Sequence, residues 1–186
     1  MKSSYLPAKA LGLVCIATLA ACAAPSGPAT VAFSQAALPD AVKVPAGNRV
    51  ALESVGAGEI TYECRAKTGM AGQFEWVFVG PDAPLSDRSG KRIGKYYGPP
   101  ATWEAMDGSK ITGAQVAVSP ASAGSIPLQL VKANPAMGAG AMQGVTYIQR
   151  VATQGGVAPA VACDASSIGQ KQIVKYQADY IFWRAV

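Results

Sequence analysis

Two acidic residues beside a tryptophan are the strongest candidates in this sequence for acid–base catalysis. Glu104 and Asp107 follow Trp103 closely, and glycoside hydrolases use two carboxylates, one as the acid and the other as the base or nucleophile. In the alternative interpretation, Asp107 shapes a turn with Gly108, and Glu104 faces solvent or pairs with a basic side chain. Carboxylates so close on a tight turn are rarely held the roughly 5–9 Å apart that this mechanism needs. The structural interpretation is therefore favoured.

The rest of the composition offers little for catalysis. The chain of 186 residues has no histidine, which excludes Ser-His-Asp and Cys-His catalysis and any zinc site that contains histidine. No serine lies in a Gly-x-Ser-x-Gly elbow, and the aspartates lack the spacing of an EF-hand. The sequence predicts no metal and no cofactor, and it favours a protein that is not an enzyme.

Basic and aromatic residues are concentrated in one segment. Four basic residues fall within eight positions and three aromatic residues follow them: Arg88, Lys91, Arg92, Lys95, Tyr96, Tyr97 and Trp103. Positive charge on a loop attracts anionic surfaces, and aromatic rings supply stacking faces for sugars or rim contacts for a protein. One hypothesis is therefore that this segment contacts an acidic envelope component such as lipopolysaccharide, peptidoglycan or an acidic protein. The sequence favours the alternative, a solvated basic hairpin whose aromatic residues fill the core.

An arginine in an otherwise apolar strand is a further candidate for ligand binding. The alternation of a strand places Arg150 with Ile148 on one face and Gln149 on the other. A half-buried arginine commonly forms a bidentate ion pair with a carboxylate. Three carboxylates are candidate partners: Glu63, Glu75 and Asp179. The sequence favours such a structural ion pair and leaves contact with a ligand as the alternative.

The elements that carry these residues are predicted to be β-strands. From Arg49 onward, apolar residues recur at every second position, the period of a half-buried strand. The predicted strands cover residues 59–65, 74–79, 92–97, 110–112, 114–119, 126–133, 145–151 and 172–183. Gly80-Pro81 is expected to end the second of them, Asp107-Gly108 to form a hairpin turn, and residues 134–144 to form a loop. The pattern predicts an all-β fold, a single antiparallel β-sandwich or barrel of about nine short strands with little helix.

The N-terminus has the three parts of a secretory signal. Two lysines accompany an uncharged apolar stretch over residues 10–21, which is shorter than the roughly 20 residues of a membrane-spanning helix. The run Leu19-Ala20-Ala21-Cys22 resembles the bacterial lipobox, which implies cleavage before the cysteine and lipidation of its thiol. The alternative is an ordinary signal peptide, cut after Ala23 or Ala24, that leaves a freely secreted protein. Alanine rather than aspartate after the cysteine favours the outer membrane.

The remaining cysteines predict a disulfide. Cys15 lies within the signal and Cys22 takes the lipid, so that Cys64 and Cys163 remain. Two cysteines in an oxidising compartment usually pair. The alternative is two separate buried thiols.

These features divide the chain into a signal peptide over 1–21, a flexible tether over 22–39 and a β-domain over 40–186. Loss of Lys2 and Lys9 with the signal leaves 14 basic residues against 11 acidic ones, a net charge of +3. This excess is too small for the basic footprint of a nucleic-acid-binding protein. The predicted partners are a membrane, through the lipid on Cys22, and an acidic envelope component, with no nucleic acid.

Several short motifs follow one another along the chain: Tyr62-Glu63-Cys64, Trp76-Val77-Phe78-Val79-Gly80-Pro81, Trp103-Glu104-Ala105, Asp107-Gly108-Ser109, Val145-Thr146-Tyr147-Ile148-Gln149-Arg150-Val151, Gly155-Gly156-Val157-Ala158-Pro159, Cys163-Asp164 and Ala178-Asp179-Tyr180. Together these motifs resemble the DUF3455 family of exported bacterial and fungal proteins, for which no function is established. They cover nearly all of the chain after about Asp40, in one order. Tyr96 stands where the family often has a histidine, which argues against a histidine-dependent role at that position.

The sequence thus predicts a lipid-anchored domain of the bacterial cell envelope, on the outer membrane and facing the periplasm or the exterior. Its predicted role is that of a non-enzymatic binding or structural module. The alternative is a hydrolase of envelope glycans or esters that uses the carboxylates near Trp103.

Overall fold

The computed structural model describes residues 1–2 and 32–186. The predicted signal peptide, the lipobox and its Cys22 lie outside the described residues, apart from Met1 and Lys2. Within the described ranges, no helix is long and apolar enough to span a membrane. Residues Phe33–Val186 form one compact unit, and the text below concerns that unit.

Eight β-strands and two short 3-10 helices make up this unit. The strands are β1 (Asn48–Ala66), β2 (Phe74–Ser86), β3 (Arg92–Tyr97), β4 (Thr102–Ala105), β5 (Lys110–Ser119), β6 (Leu128–Ala133), β7 (Val145–Gly155) and β8 (Lys171–Ala185). The 3-10 helices are η1 (Asp40–Val42) and η2 (Ala165–Ser167). The predicted all-β fold with little helix is confirmed.

The strands form a closed barrel in which each strand pairs antiparallel with the next along the chain. β8 returns to pair with β1, so that Ser54 lies opposite Tyr180 and no sheet edge is left. Of the two predicted architectures, the structure is therefore the barrel.

The number and length of the strands differ from the prediction. Residues 110–112 and 114–119 belong to one strand, β5, because pairing with β6 continues through Gly113 and only a local irregularity follows at Gln115–Ala117. β2 does not end at Gly80-Pro81 but continues to Ser86. A bulge opposite Thr61 and Tyr62 leaves Val79 without a pairing residue, and sheets tolerate proline near such bulges.

Side chains that alternate along the strands fill the interior of the barrel. Tyr176, Ala178, Tyr180 and Phe182 of β8 all belong to this interior cluster. Trp103 and Tyr180 are the largest of its fully buried side chains. The interior is therefore rich in aromatic rings.

A second apolar cluster covers the outer face of β6, β7 and β8. Val42 and Val44, from the segment before β1, pack there with Ile181 and Trp183, and Phe33 packs against the cluster. β8 is therefore buried on both faces near its C-terminal end. Part of the predicted tether, residues 33–39, thus belongs to the compact unit.

One buried glutamine joins this segment to the barrel. The Gln149 side-chain amide donates to the Val42 carbonyl at 2.7 Å and to the Gln35 side chain at 3.1 Å. Its Oε1 accepts from Trp183 Nε1 at 2.8 Å. A buried amide that makes these bonds specifies where the segment docks, because an unmade buried hydrogen bond is costly.

The predicted disulfide between Cys64 and Cys163 is confirmed, with a Cα–Cα distance of 5.5 Å. It ties β1 to the long loop between β7 and β8. Trp76 Nε1 also donates to the Val161 carbonyl of this loop at 2.8 Å. The loop is therefore held against β1 and β2 by a covalent bond and a hydrogen bond.

Candidate functional site

A pocket of about 250 Å³ opens at the end of the barrel where β3 ends and β4 begins. We call it the mouth pocket. Residues from six strands, β2 to β7, contribute to its lining and include Phe78, Tyr96, Trp103, Gln115, Gln129 and Arg150. Gly80 allows the β3–β4 turn to form part of the rim, because a Cβ atom at this position would collide with the Gly98 carbonyl oxygen.

Two stacked rings contribute to the apolar part of the mouth pocket. Tyr96 of β3 and Trp103 of β4 are cross-strand partners. Their ring centroids lie 4.7 Å apart with an interplanar angle of 22°. Tyr180 packs beneath them, with centroid distances of 4.9 Å to Tyr96 and 5.9 Å to Trp103. Such aromatic contacts add stability beyond the burial of apolar area.

The Trp103 indole N–H is a buried donor without a hydrogen-bond partner among the residues that the structure describes. The side chain is only 2% exposed. The other two tryptophans differ, because Trp76 Nε1 donates to Val161 and Trp183 Nε1 donates to Gln149. Buried polar groups normally have partners, so the unsatisfied donor singles out Trp103 within the mouth pocket.

Arg150 lies at the polar side of the mouth pocket. Its Nε and Nη2 atoms donate to the Pro127 carbonyl at 3.2 and 2.9 Å. The predicted ion pair with Glu63, Glu75 or Asp179 is wrong: Asp179 pairs with Arg88, and Glu63 pairs with Arg65. The physical reason is strand alternation. Asp179 lies between the interior residues Ala178 and Tyr180 and so points away from the barrel interior.

The Arg150 charge reaches the tyrosines inside the barrel. Burial raises the pKa of the Tyr96, Tyr176 and Tyr180 hydroxyls, and the positive charge of Arg150 opposes that rise at each of them. The Tyr176 and Tyr180 hydroxyls lie 3.2 Å apart. The effect of the guanidinium on each hydroxyl is smaller than that of burial.

Glu104 does not face the mouth pocket's arginine but lies in a cluster of its own. Its Oε2 accepts from the Tyr97 hydroxyl at 2.8 Å and lies 3.5 Å from Lys95 Nζ and 3.4 Å from Lys110 Nζ. The hydrogen bond from Tyr97, and then the lysines, hold the pKa of this carboxyl below its usual range.

Asp107 shapes the turn between β4 and β5, as the structural interpretation predicts. Its Oδ1 accepts from the Ser109 backbone N–H at 2.9 Å and from the Ser109 hydroxyl at 2.6 Å. Its Oδ2 accepts from the Ala141 N–H at 2.7 Å, and Gly108 has φ +83°. These hydrogen bonds, that of the Ser109 hydroxyl first, lower the pKa of Asp107. The carboxylate thereby links the turn to the loop between β6 and β7.

The basic segment is partly neutralised. Arg88 Nη1 lies 2.7 Å from Asp179 Oδ2, and its Nη2 lies 3.0 Å from Glu53 Oε2. Lys95 pairs with Glu104 and sits over the Tyr97 ring at 4.8 Å from its centroid. Lys91 and Arg92 are exposed.

The structure therefore brings only some of the predicted ligand-binding residues together. Tyr96, Trp103 and Arg150 all line the mouth pocket. The other predicted residues lie outside this lining: Arg88, Lys91, Arg92, Lys95, Tyr97, Glu104 and Asp107.

Sequence reasoning missed the two glutamines of the mouth pocket. Gln129 Nε2 donates to Gln115 Oε1 at 2.7 Å, and Gln129 lies directly opposite Arg150 in the β6–β7 pair. The alternation around Val131 could have placed Gln129 on the inner face. Gln115 was harder to place because the register shifts just beyond it.

Larger grooves lie elsewhere but have less distinctive chemistry. One, of about 510 Å³, runs across β1, β7 and β8 and is lined by Lys175, whose ammonium pairs with Glu59. Within residues 1–2 and 32–186, no cluster of three or more His, Cys, Asp or Glu side chains could hold a metal ion. The mouth pocket is the candidate site because it joins a cavity, an arginine without an ion pair among the described residues, and a pair of stacked aromatic rings.

Fold and site together define an eight-stranded antiparallel barrel with an arginine-bearing pocket at one end. The chain belongs to the family described as "Protein of unknown function (DUF3455)", whose profile matches residues 45–184. This match confirms the resemblance seen in the sequence and includes Arg150 and both disulfide cysteines. No curated protein and no solved structure shows a significant match to the chain. The disulfide and the exported family indicate a location outside the cytoplasm.

Proposed function

We propose that the protein is a lipid-anchored module of the bacterial cell envelope that binds an acidic ligand in the mouth pocket without changing it chemically. The observation that carries this proposal is Arg150, a half-buried cation at the pocket whose bonds go to a backbone carbonyl. It makes no ion pair with any residue that the structure describes. A cation in such a setting is suited to bind an anion.

The lipid anchor rests on the sequence. Leu19-Ala20-Ala21-Cys22 ends an apolar stretch where cleavage of a signal is expected, and more than one acyl chain on the cysteine would give stable attachment. The disulfide supports export because such bonds persist in oxidising compartments. Alanine after Cys22 supports the outer membrane, facing the periplasm or the exterior.

The alternative role as a hydrolase has less support. Glycosidase chemistry requires one carboxylic acid with a raised pKa. Glu104 and Asp107 instead have lowered pKa values, because hydrogen bonds from Tyr97 and Ser109 favour their ionised forms. Both carboxylates are also held in separate sets of structural contacts.

Replacement of Cys22 by serine tests the anchor. The variant is expected to lose labelling by radioactive palmitate and to move from the membrane fraction to the soluble fraction, since serine has no thiol to acylate. Cys15→Ser is the matched control, because that cysteine lies within the predicted signal and its loss should leave labelling unchanged. Palmitate incorporation into Cys22→Ser would show that the anchor is elsewhere.

Binding of an acidic ligand is tested with the soluble Cys22→Ser chain and isolated envelope in low salt. The additional change Arg150→Gln should weaken retention about 10- to 100-fold, because a hydrogen bond to a charged group contributes about 1.5–3 kcal/mol. Lys91→Gln removes the same charge from the exposed turn between β2 and β3 and should change retention little. Equal weakening by both variants would favour the basic segment as the binding surface. If the Cys22→Ser chain with its pocket unchanged is not retained on the envelope, the proposal is overturned.

A further inference from the structure

The chemistry of the mouth pocket narrows the class of its ligand. Resting on the proposed binding function, we infer that the ligand is a small monocarboxylate with a flat, largely apolar body that carries a hydrogen-bond acceptor. Arg150 holds the carboxylate, Tyr96 and Trp103 contact the flat body, and the Gln115 amide nitrogen donates to the acceptor.

Arg150 presents a free fork to the pocket. A guanidinium has five N–H donors, and Pro127 takes up only the Nε–H and one N–H of Nη2. Both N–H groups of Nη1 and the second of Nη2 remain. One N–H of Nη1 and the remaining N–H of Nη2 point in parallel from the same edge of the planar group, which is the geometry that binds the two oxygens of a carboxylate.

The balance of charge favours a monoanion. Arg150 is the only charged side chain among the residues that line the mouth pocket. A single guanidinium neutralises one carboxylate, whereas the desolvation of a phosphate dianion in an otherwise uncharged pocket would leave one charge uncompensated. The pocket therefore suits a carboxylate better than a phosphate.

The size and lining of the pocket favour a flat apolar body. The volume of about 250 Å³ falls just below the roughly 300–1,000 Å³ of pockets for drug-sized molecules. Phe78 and Val131 extend the apolar surface of the Tyr96–Trp103 stack. A single planar ring matches these walls better than a sugar ring, whose many hydroxyl groups would find few partners beside the two glutamines.

A free donor in the lining accounts for the acceptor on the ligand. Gln115 lines the mouth pocket, and its hydrogen bond with Gln129 uses only the Gln115 oxygen. The Gln115 amide nitrogen is therefore available, and a ligand that offers an oxygen there gains a hydrogen bond at no loss of an existing one. The Trp103 N–H is too deeply buried to be this donor.

The inference is tested by calorimetric titration of the purified chain with 4-hydroxybenzoate. We expect binding of one molecule per chain, and binding about 10- to 100-fold weaker for the neutral analogue 4-hydroxybenzamide, which lacks the carboxylate charge. Arg150→Gln should weaken 4-hydroxybenzoate binding by a similar factor, and Lys91→Gln should not. The amide analogue needs no variant and keeps the test valid if Arg150→Gln fails to fold.

The Gln115 contact is read from the side-chain amide signals in a proton–nitrogen correlation spectrum. The Gln115 signals, assigned by their loss in Gln115→Met, should move when 4-hydroxybenzoate is added. Unmoved signals in a complex that still depends on Arg150 would overturn the assigned acceptor contact.

The outcomes separate this inference from the proposed function. Tighter binding of inorganic phosphate or glucuronate than of 4-hydroxybenzoate would show that the ligand class is wrong while the acidic ligand stands. No binding of 4-hydroxybenzoate, together with envelope retention that depends on Arg150, would likewise overturn only the inference. If the chain neither binds 4-hydroxybenzoate nor is retained on the envelope through Arg150, the proposed function is overturned as well.

Discussion

Replacement of both Cys64 and Cys163 by alanine would remove the covalent link between β1 and the β7–β8 loop while leaving the local backbone hydrogen bonds in place. Cys64 N donates to the Gln170 carbonyl and Gly169 N donates to the Cys64 carbonyl, both at 2.9 Å. Neither bond involves sulfur. The variant should therefore retain the native barrel and lose mainly the restriction that the disulfide places on the unfolded chain.

The separation of the two cysteines sets the magnitude. They lie 99 residues apart, and for a loop of this length the chain-entropy model gives a loss of about 4.7 kcal/mol in the free energy of unfolding. This value is an upper figure because residual structure in the unfolded state reduces it. For a domain of this size, it corresponds to a fall of roughly 9–19 °C in Tm.

Urea unfolding of the wild type and of the double variant, each with and without a reductant, measures this effect. The reductant should destabilise the wild type toward the variant and leave the variant unchanged, which separates loss of the bond from damage by the alanines. A variant that unfolds within about 1 kcal/mol of the oxidised wild type would refute the entropic reasoning. A variant that is sensitive to the reductant would point to another cause of the difference.

Three further perturbations test the packing and the electrostatics. Gln149→Leu leaves Trp183 Nε1 without its acceptor. It should lower the free energy of unfolding, measured in urea, by about 1–3 kcal/mol for each buried group left unbonded. Arg88→Gln should destabilise by up to about 1 kcal/mol for its exposed ion pair with Asp179, and less in high salt. Because burial raises the pKa of Tyr180 well above 10, its contribution to stability is complete below about pH 10 and is lost as the pH rises further. Melting curves across the alkaline range measure that loss.

Each of these expectations has a control or a contrary outcome. Gln172→Leu, at an exposed position of β8, should change stability by no more than about 0.5 kcal/mol, and a loss equal to that of Gln149→Leu would remove the case for the buried network. A salt-independent effect of Arg88→Gln would contradict an electrostatic cause. Complete ionisation of Tyr180 near pH 10 in folded protein, followed by ultraviolet absorbance, would contradict its burial.

Local features of the sequence determined most of the strands, a turn and the disulfide of this protein. Alternation of apolar residues predicted at least part of every strand except β4. It also placed Ile148 and Arg150 together on the inward face. Turn chemistry predicted the bend at Asp107-Gly108, and the count of cysteines predicted the disulfide. These predictions succeeded because each depends on residues a few positions apart or, for the disulfide, on the elimination of other pairings.

Closure of the barrel and the identity of contacts across it were decided only by the tertiary structure. β1 pairs with β8 at the far end of the chain, and Asp179 turns outward to Arg88, so Arg150 is left with a carbonyl partner. Tyr96, Trp103 and Arg150 meet at one pocket only because the registers of β3, β4 and β7 bring them to one end of the barrel. Periodicity predicts which face of the sheet a side chain occupies. Which residue lies opposite it across the barrel depends on the register and shear of the strands. Long-range packing sets those quantities, and no local pattern records them.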